Sequence, residues 1–330
     1  MISGFIIFLI VMALVFDFIN GFHDAANSIA TAVSTRILKP AQAVVWAAFF
    51  NFIAFLFFET KVASTIGKGL IEPSIVDSNL ICAVLLGAIF WNILTWYYGI
   101  PSSSSHALVG GLMGAGIAKG GMDVIHIQGA STVMISIVAS PLLGLILGNL
   151  LMRAAKRLFA TQKPLKIDRW FRRLQMVSAA LYSLGHGGND AQKTMGIIAI
   201  LLFSSGYLGE HFYVPFWVVI LCQLAMGLGT LFGGWRIVKT LGNKITKLKP
   251  IGGFCAETAG ASTLFLATFF GVPVSTTHTI TGSIVGVGTA KALQAVRWGQ
   301  TQRIVMAWVI TMPVVALLSA STFFLLSLAG

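Results

Sequence analysis

Apolar runs long enough to cross a hydrocarbon core about 30 Å thick recur from one end of this chain to the other, at 41–58, 79–98, 131–151, 213–235 and 303–328 among others. Runs of that length read as membrane helices, so the expected fold is all-α and polytopic. No soluble domain fits between them, and a chain that is 56% hydrophobic and 10% charged, with a mean hydropathy of +0.87, is far too apolar for one. The first apolar run lacks a basic leader. It is followed by the polar cluster Asp17, Asn20, His23, Asp24 and Asn27 instead of a cleavage site, and so reads as a retained span and not a signal peptide.

The net charge of +12 would suggest nucleic acid in a soluble protein, but here topology accounts for it and no nucleic-acid partner is expected. Spans at 4–35, 41–58, 79–98, 101–118, 131–151, 174–205, 213–235, 251–271, 273–290 and 303–328, run alternately from an outside N-terminus, place most Lys and Arg in the loops of one face. The basic stretches 153–173 and 236–249 then lie in the cytoplasm, as the positive-inside rule requires, while Lys61, Lys68 and Lys119 lie outside with Glu59, Glu72, Asp77, Asp123 and Glu210. Segments 4–35 and 174–205 are too long for one straight crossing and contain Gly-rich polar clusters, so each is expected to break into half-spans, giving about 10–12 membrane segments. Segments 101–118 and 273–290 are short, Gly- and Ser/Thr-rich and begin at a proline, as re-entrant or discontinuous helices do.

Residues 100–119, IPSSSSHALVGGLMGAGIAK, align without gaps to 272–291, VPVSTTHTITGSIVGVGTAK, and GFHDAAN at 21–27 matches GGNDAQK at 187–193 in the same order. Each half has an odd number of crossings, so the two copies face opposite ways. The expected organisation is a first inverted repeat over 1–152, a basic cytoplasmic linker over 153–173 and a second inverted repeat over 174–330, an architecture that places substrate near the midplane. A further match, Glu59-Thr60 with Glu257-Thr258, breaks the order of spacing and is read as coincidence.

Ionisable groups inside a membrane are costly, about 2.5–3.5 kcal/mol on insertion scales, so Asp24, Asp190 and Lys193 are site candidates. The paired carboxylates suit a cation or a proton. They could also act only as N-caps of broken helices. The tips put Ser103, Ser104, Ser105 and Ser275, Thr276, Thr277 at the start of half-helices, where hydroxyls and free N–H groups make an anion site, and two such tips facing each other would cage a tetrahedral oxyanion. His106 and His278 are candidates to orient those hydroxyls or move protons, or are buried structural histidines. His23 and His186 flank the Asp clusters, and Asp17 is either part of the pathway or a near-surface residue. Glycines at 110–116 and 282–288 read as close helix packing. Cys82, Cys222 and Cys255 form no redox or metal motif, Lys193-Thr194 lacks the preceding Gly of a phosphate-binding P-loop, and no cofactor or resident metal is expected.

Together GFHDAANSIATAV, SLGHGGNDAQKTMG, GIPSSSSHALVGG and GVPVSTTHTITGS resemble the inorganic phosphate transporter (PiT) family, in matching order from about residue 16 to 290. The resemblance implies gradient-driven secondary transport of inorganic phosphate, with Asp24, Asn27, Asn189 and Asp190 serving the coupling ion and Ser103 to Ser105 and Ser275 to Thr277 serving the anion; read from the residues themselves, Lys193 is added as a positive charge for the anion and His23 as a neighbour of Asp24 at the coupling site. His23 before Asp24, and Gln192-Lys193 where the second copy would read Ala-Asn, resemble the bacterial low-affinity, proton-coupled branch of the inner membrane. Sodium coupling, a sulfate or other oxyanion permease, and a metal-phosphate substrate stay open. So does a homodimer in the lipid bilayer. An intramembrane hydrolase using Ser104 or Ser105 with His106 is disfavoured, because hydrolysis needs one site and the motif is duplicated.

Overall fold

The computed structural model describes residues 3–329 and is a bundle of twelve α-helices in which the described residues form no strand beyond one isolated bridge, Ile71 to Ile125. The first six are α1 (Gly4–Ser34), α2 (Pro40–Phe52), α3 (Lys61–Lys68), α4 (Ser78–Tyr98), α5 (Ser104–Gly120) and α6 (Ile127–Leu158). The second six repeat the order: α7 (Pro164–Ser204), α8 (Phe216–Phe232), α9 (Trp235–Asn243), α10 (Pro250–Phe269), α11 (Thr276–Thr289) and α12 (Trp298–Ala329). Four helices, α1, α4, α6 and α12, are long and apolar enough to cross a membrane on their own. Two bent pairs, one of α2 with its 3-10 extension and α3, the other of α8 and α9, pass the same test together. Outward faces of α6 and α12 expose Ile135, Val138, Leu142, Val309, Leu317 and Phe324, a surface that only lipid solvates well. The protein is an integral membrane protein.

Local chemistry sets the helix ends. Pro40, Pro164 and Pro250 stand at first helical positions, where the missing N–H is no loss, and Asp77 caps α4 by accepting from Leu80 N at 2.8 Å. At the two tips Gly99 (φ 65°) and Gly271 (φ 71°) adopt left-handed backbone that favours glycine, turning the chain out of α4 and α10. Each half-helix then starts on its own serine cap: Ser103 accepts from His106 N at 3.2 Å and Ser275 from His278 N at 3.3 Å. Lys119 at the end of α5 meets Asp77 at the start of α4. The two ends of this hairpin therefore lie together, with its tip at the far end of α4 and α5. Lys291 after α11 reaches Lys247 O before α10 at 2.7 Å, closing the second hairpin the same way.

The glycines of the half-helices serve contact. A Cβ on Gly110 or Gly114 would stand 2.7 or 2.2 Å from the Met312 or Ala316 carbonyl of α12, and one on Gly282 or Gly286 would stand 2.1 Å from the Pro141 or Leu145 carbonyl of α6. Close packing, as expected, is their role.

The long segments correct the expectation of breaks: α1 and α7 run without interruption through their Gly-rich clusters. There too the glycines admit neighbours. Gly21 faces the Met226 carbonyl with room for a Cβ only at 2.2 Å, and Gly187 faces the Asn51 carbonyl at 2.4 Å. Asp24 and Asp190 are mid-helix groups, so their reading as N-caps falls. The bends lie instead at 81° before α3 and 73° between α8 and α9. These short bent helices hold the tips of the opposite half. Thr65 on α3 donates to Gly271 O at 2.7 Å with Lys61 over the Phe269 ring, and Thr240 on α9 donates to Gly99 O at 3.1 Å with Arg236 bonded to Tyr97 O and over its ring.

Candidate functional site

Both tips and both Asp motifs converge in the middle of the bundle, where Asp24, Asp190 and Lys193 are all at most 2% exposed. On α1, Asp24 Oδ1 lies 2.6 Å from His23 Nδ1, and its Oδ2 accepts from Ser104 Oγ at 2.8 Å. On α7, Asp190 Oδ1 accepts from the Lys193 ammonium, and its Oδ2 accepts from Thr276 Oγ at 2.8 Å. Ser104 and Thr276 are equivalent in the duplicated motif, so each carboxylate is held by the first hydroxyl of its own half-helix. The second hydroxyls are gripped across the interface. Asn27 Nδ2 donates to Thr277 Oγ at 2.9 Å, and Lys193 Nζ donates to Ser105 Oγ and to Val274 O at 2.7 Å.

Asn27 and Lys193 thus make the same contact from equivalent places, and differ in what they offer. The amide keeps an oxygen, which no hydrogen bond reaches. The ammonium has three N–H donors and nothing else, all engaged by Asp190, Ser105 and Val274.

The remaining expected residues fall into supporting places. Asn189 donates to Thr268 Oγ at 2.9 Å and accepts from Val274 N at 3.2 Å, which ties the second tip to α7. Ser103 and Ser275 are the helix caps already described. His106 and His278 meet edge to face at 4.3 Å between ring centroids, and His278 stacks on Trp308 at 3.8 Å. This ring stack joins the two half-helices behind their hydroxyls. His186 Nδ1 lies 3.2 Å from Asn51 Oδ1 and its other nitrogen 3.3 Å from Asp190. Ligand atoms of Asp24, His186 and Asp190 lie within 4.8 Å of one another, close enough for one small cation to bridge.

Three contributors escaped the sequence reading. His23 Nε2 lies 3.1 Å from Thr95 Oγ, whose hydroxyl is also 2.8 Å from Trp91 O. Tyr182 OH donates to Thr276 O at 2.9 Å. Glu257, fully buried on α10, accepts from Thr31 at 2.6 Å, Ser178 at 2.5 Å and Gln175 at 3.0 Å. A lone acid in the middle of an apolar span was the available signal for Glu257. Its match with Glu59 has no structural counterpart, since Glu59 is exposed and pairs with Lys61 ahead of α3.

With this geometry in hand, the comparisons place the chain among transporters. The phosphate transporter family matches residues 20–168 and 159–319. A protein of Rhizobium meliloti (strain 1021) named as a probable low-affinity inorganic phosphate transporter is 66% identical over 316 residues, covering 96% of this chain and 95% of that protein. A Bacillus subtilis (strain 168) protein of the same name is 46% identical over 324 residues, covering 98% of this chain and 97% of its own length. A solved structure described as the sodium-dependent phosphate transporter superposes with a TM-score of 0.89 at 26% identity, covering 99% of this chain and 100% of the other.

Proposed function

This chain belongs to the phosphate transporter family, whose members are transporters and not enzymes, and from that premise we propose that it is a proton-coupled symporter of inorganic phosphate in the bacterial plasma membrane. The observation that carries the reading is Lys193. An ammonium cannot ligate a cation, and it fills the place where the first half presents the free oxygen of Asn27. A fixed positive charge thereby stands where a sodium ion would need a ligand.

Charge balance supports a mobile positive charge as well. Asp24 and Asp190 against Lys193 leave one net negative charge at a buried site that must accept an anion, an arrangement that is unfavourable without a further cation or proton. His23 and Asp24 can supply it. The Thr95 hydroxyl has one hydrogen, within reach of either Trp91 O or His23 Nε2. When it points at Trp91, Nε2 donates to Thr95 and the imidazole carries a proton on both nitrogens; when it points at His23, Nε2 accepts and the ring is neutral. One hydroxyl rotation thus accommodates both charge states. Phosphate would displace the bonds that hold Ser104 to Asp24, Thr276 to Asp190, Ser105 to Lys193 and Thr277 to Asn27, and take the donors they free.

Sodium coupling is the competing reading, because the solved relative is described as sodium-dependent and three ligand atoms cluster at Asp24, His186 and Asp190. Labelled-phosphate uptake into proteoliposomes under separately imposed pH and sodium gradients, with sulfate as competitor, tests the proposal. Uptake is expected under the pH gradient, in choline as in sodium, and resistant to sulfate. Uptake only under the sodium gradient refutes it.

A further inference from the structure

Asp17 is fully buried on α1, and no hydrogen bond of ordinary geometry reaches either of its carboxylate oxygens. Its polar neighbours are Thr194 on α7, Asn20 one turn along α1 and the thiol of Cys222 on α8. The charged groups facing it are Asp190 and Lys193 of α7, and Lys193 is already committed to Asp190, Ser105 and Val274. Asp17 therefore differs from every other buried acid in the bundle: Asp24 has His23 and Ser104, Asp190 has Lys193 and Thr276, and Glu257 has three donors. A bare carboxylate in such a place is far too costly to keep, whereas a carboxylic acid is not.

Its position connects it to the site. Asp17 and Asp24 are seven positions apart, which places both on one face of α1 about 10 Å apart along the axis, and Asn20 between them competes for the single hydrogen of the Ser104 hydroxyl, its Oδ1 lying 2.6 Å from Ser104 Oγ against 2.8 Å for Asp24 Oδ2.

We propose that Asp17 is a proton-binding residue of the transport cycle: the site accepts phosphate when Asp17 is neutral, and the proton taken up by its carboxylate travels with the anion. The step is a simple protonation, carboxylate plus proton giving carboxylic acid, reversed after phosphate leaves. A full charge about 10 Å along the helix from Asp24, beside which the anion is proposed to sit, changes anion affinity by on the order of tenfold at the effective dielectric appropriate to a buried site. This assignment rests on the proton-coupled reading above.

Asp17→Asn, a neutral isostere, tests it in proteoliposomes against wild type and Asp17→Glu, with Asp17→Ser as a second neutral variant. Two quantities are read: the proton-to-phosphate ratio during uptake, and the half-saturation concentration for phosphate exchange at low and high pH. Phosphate speciation is common to all four proteins. The expected result is that the neutral variants still exchange phosphate, move fewer protons per phosphate, and keep at high pH an affinity that wild type loses by on the order of tenfold, while Asp17→Glu behaves as wild type. An unchanged ratio and pH profile in Asp17→Asn overturns the assignment while leaving proton coupling intact. Loss of exchange in both neutral variants at low pH also overturns it, because they imitate the accepting state. Absence of proton movement in wild type instead defeats the proton-coupled reading itself.

Discussion

Replacing Lys193 by Met removes the ammonium and keeps much of the stem. Lys193 is one of the largest fully buried side chains in the protein, and its three donors go to Asp190, Ser105 and Val274. Asp190 would keep Thr276 Oγ at 2.8 Å and the ring of His186 at 3.3 Å, but no fixed countercharge. Breaking a buried pair from one side costs about 3–5 kcal/mol, whereas replacing both partners by neutral groups of similar volume is often close to neutral. Lys193→Met should accordingly destabilise the protein by about 3–5 kcal/mol. Adding Asp190→Asn should restore most of that, a coupling within the range seen for directly contacting groups. Denaturant unfolding of the purified wild type, both single variants and the double variant in detergent gives the four corners of the cycle. A Lys193→Met variant that loses under about 1 kcal/mol, or a double variant as unstable as the sum of the singles, would refute the claim that this pair is held by mutual neutralisation.

Two further outcomes follow from the packing and the tips. Gly21→Ala drives a Cβ to 2.2 Å from the Met226 carbonyl and should cost about 1–3 kcal/mol by overpacking, while Gly4→Ala, with nothing within 4 Å, should be neutral; unfolding midpoints in detergent check both. Thr240→Val and Thr65→Val each remove one hydrogen bond to a tip glycine carbonyl, worth about 0.5–1.5 kcal/mol, so each should raise by roughly twofold to tenfold the labelling rate of a cysteine placed at the tip it holds, Ser102 or Val274 respectively, and leave the other tip unchanged.

The tips were readable from sequence because proline, serine and histidine at fixed spacing, repeated in both halves, carry their own local chemistry: a capped half-helix forms from those residues whatever surrounds it. The likeness of Asn27 and Lys193 was readable for the same reason, as two residues at one place in a repeat, although only the fold displays their matching grips on Thr277 and Ser105. Continuity of α1 and α7 was not readable. A glycine signals either freedom or close approach, and choosing between them needs the partner, here Met226 for Gly21 and Asn51 for Gly187, each distant in sequence. Glu257 was passed over because its partners Thr31, Gln175 and Ser178 come from two other helices. For Asp17 the sequence allows either a pathway residue or a near-surface one, and its full burial, which removes the second, is a property of the packed bundle alone.

The most direct measurement of the central claim is proton movement itself. Proteoliposomes loaded with a pH-sensitive dye and held without any imposed gradient receive a pulse of phosphate in choline medium and, separately, in sodium medium, with empty liposomes and a sulfate pulse as references. The account predicts that the lumen acidifies as phosphate enters, to the same extent in both media, and that a protonophore abolishes the acidification while phosphate still enters. A lumen pH that stays at the reference level while phosphate accumulates in sodium but not in choline would contradict it.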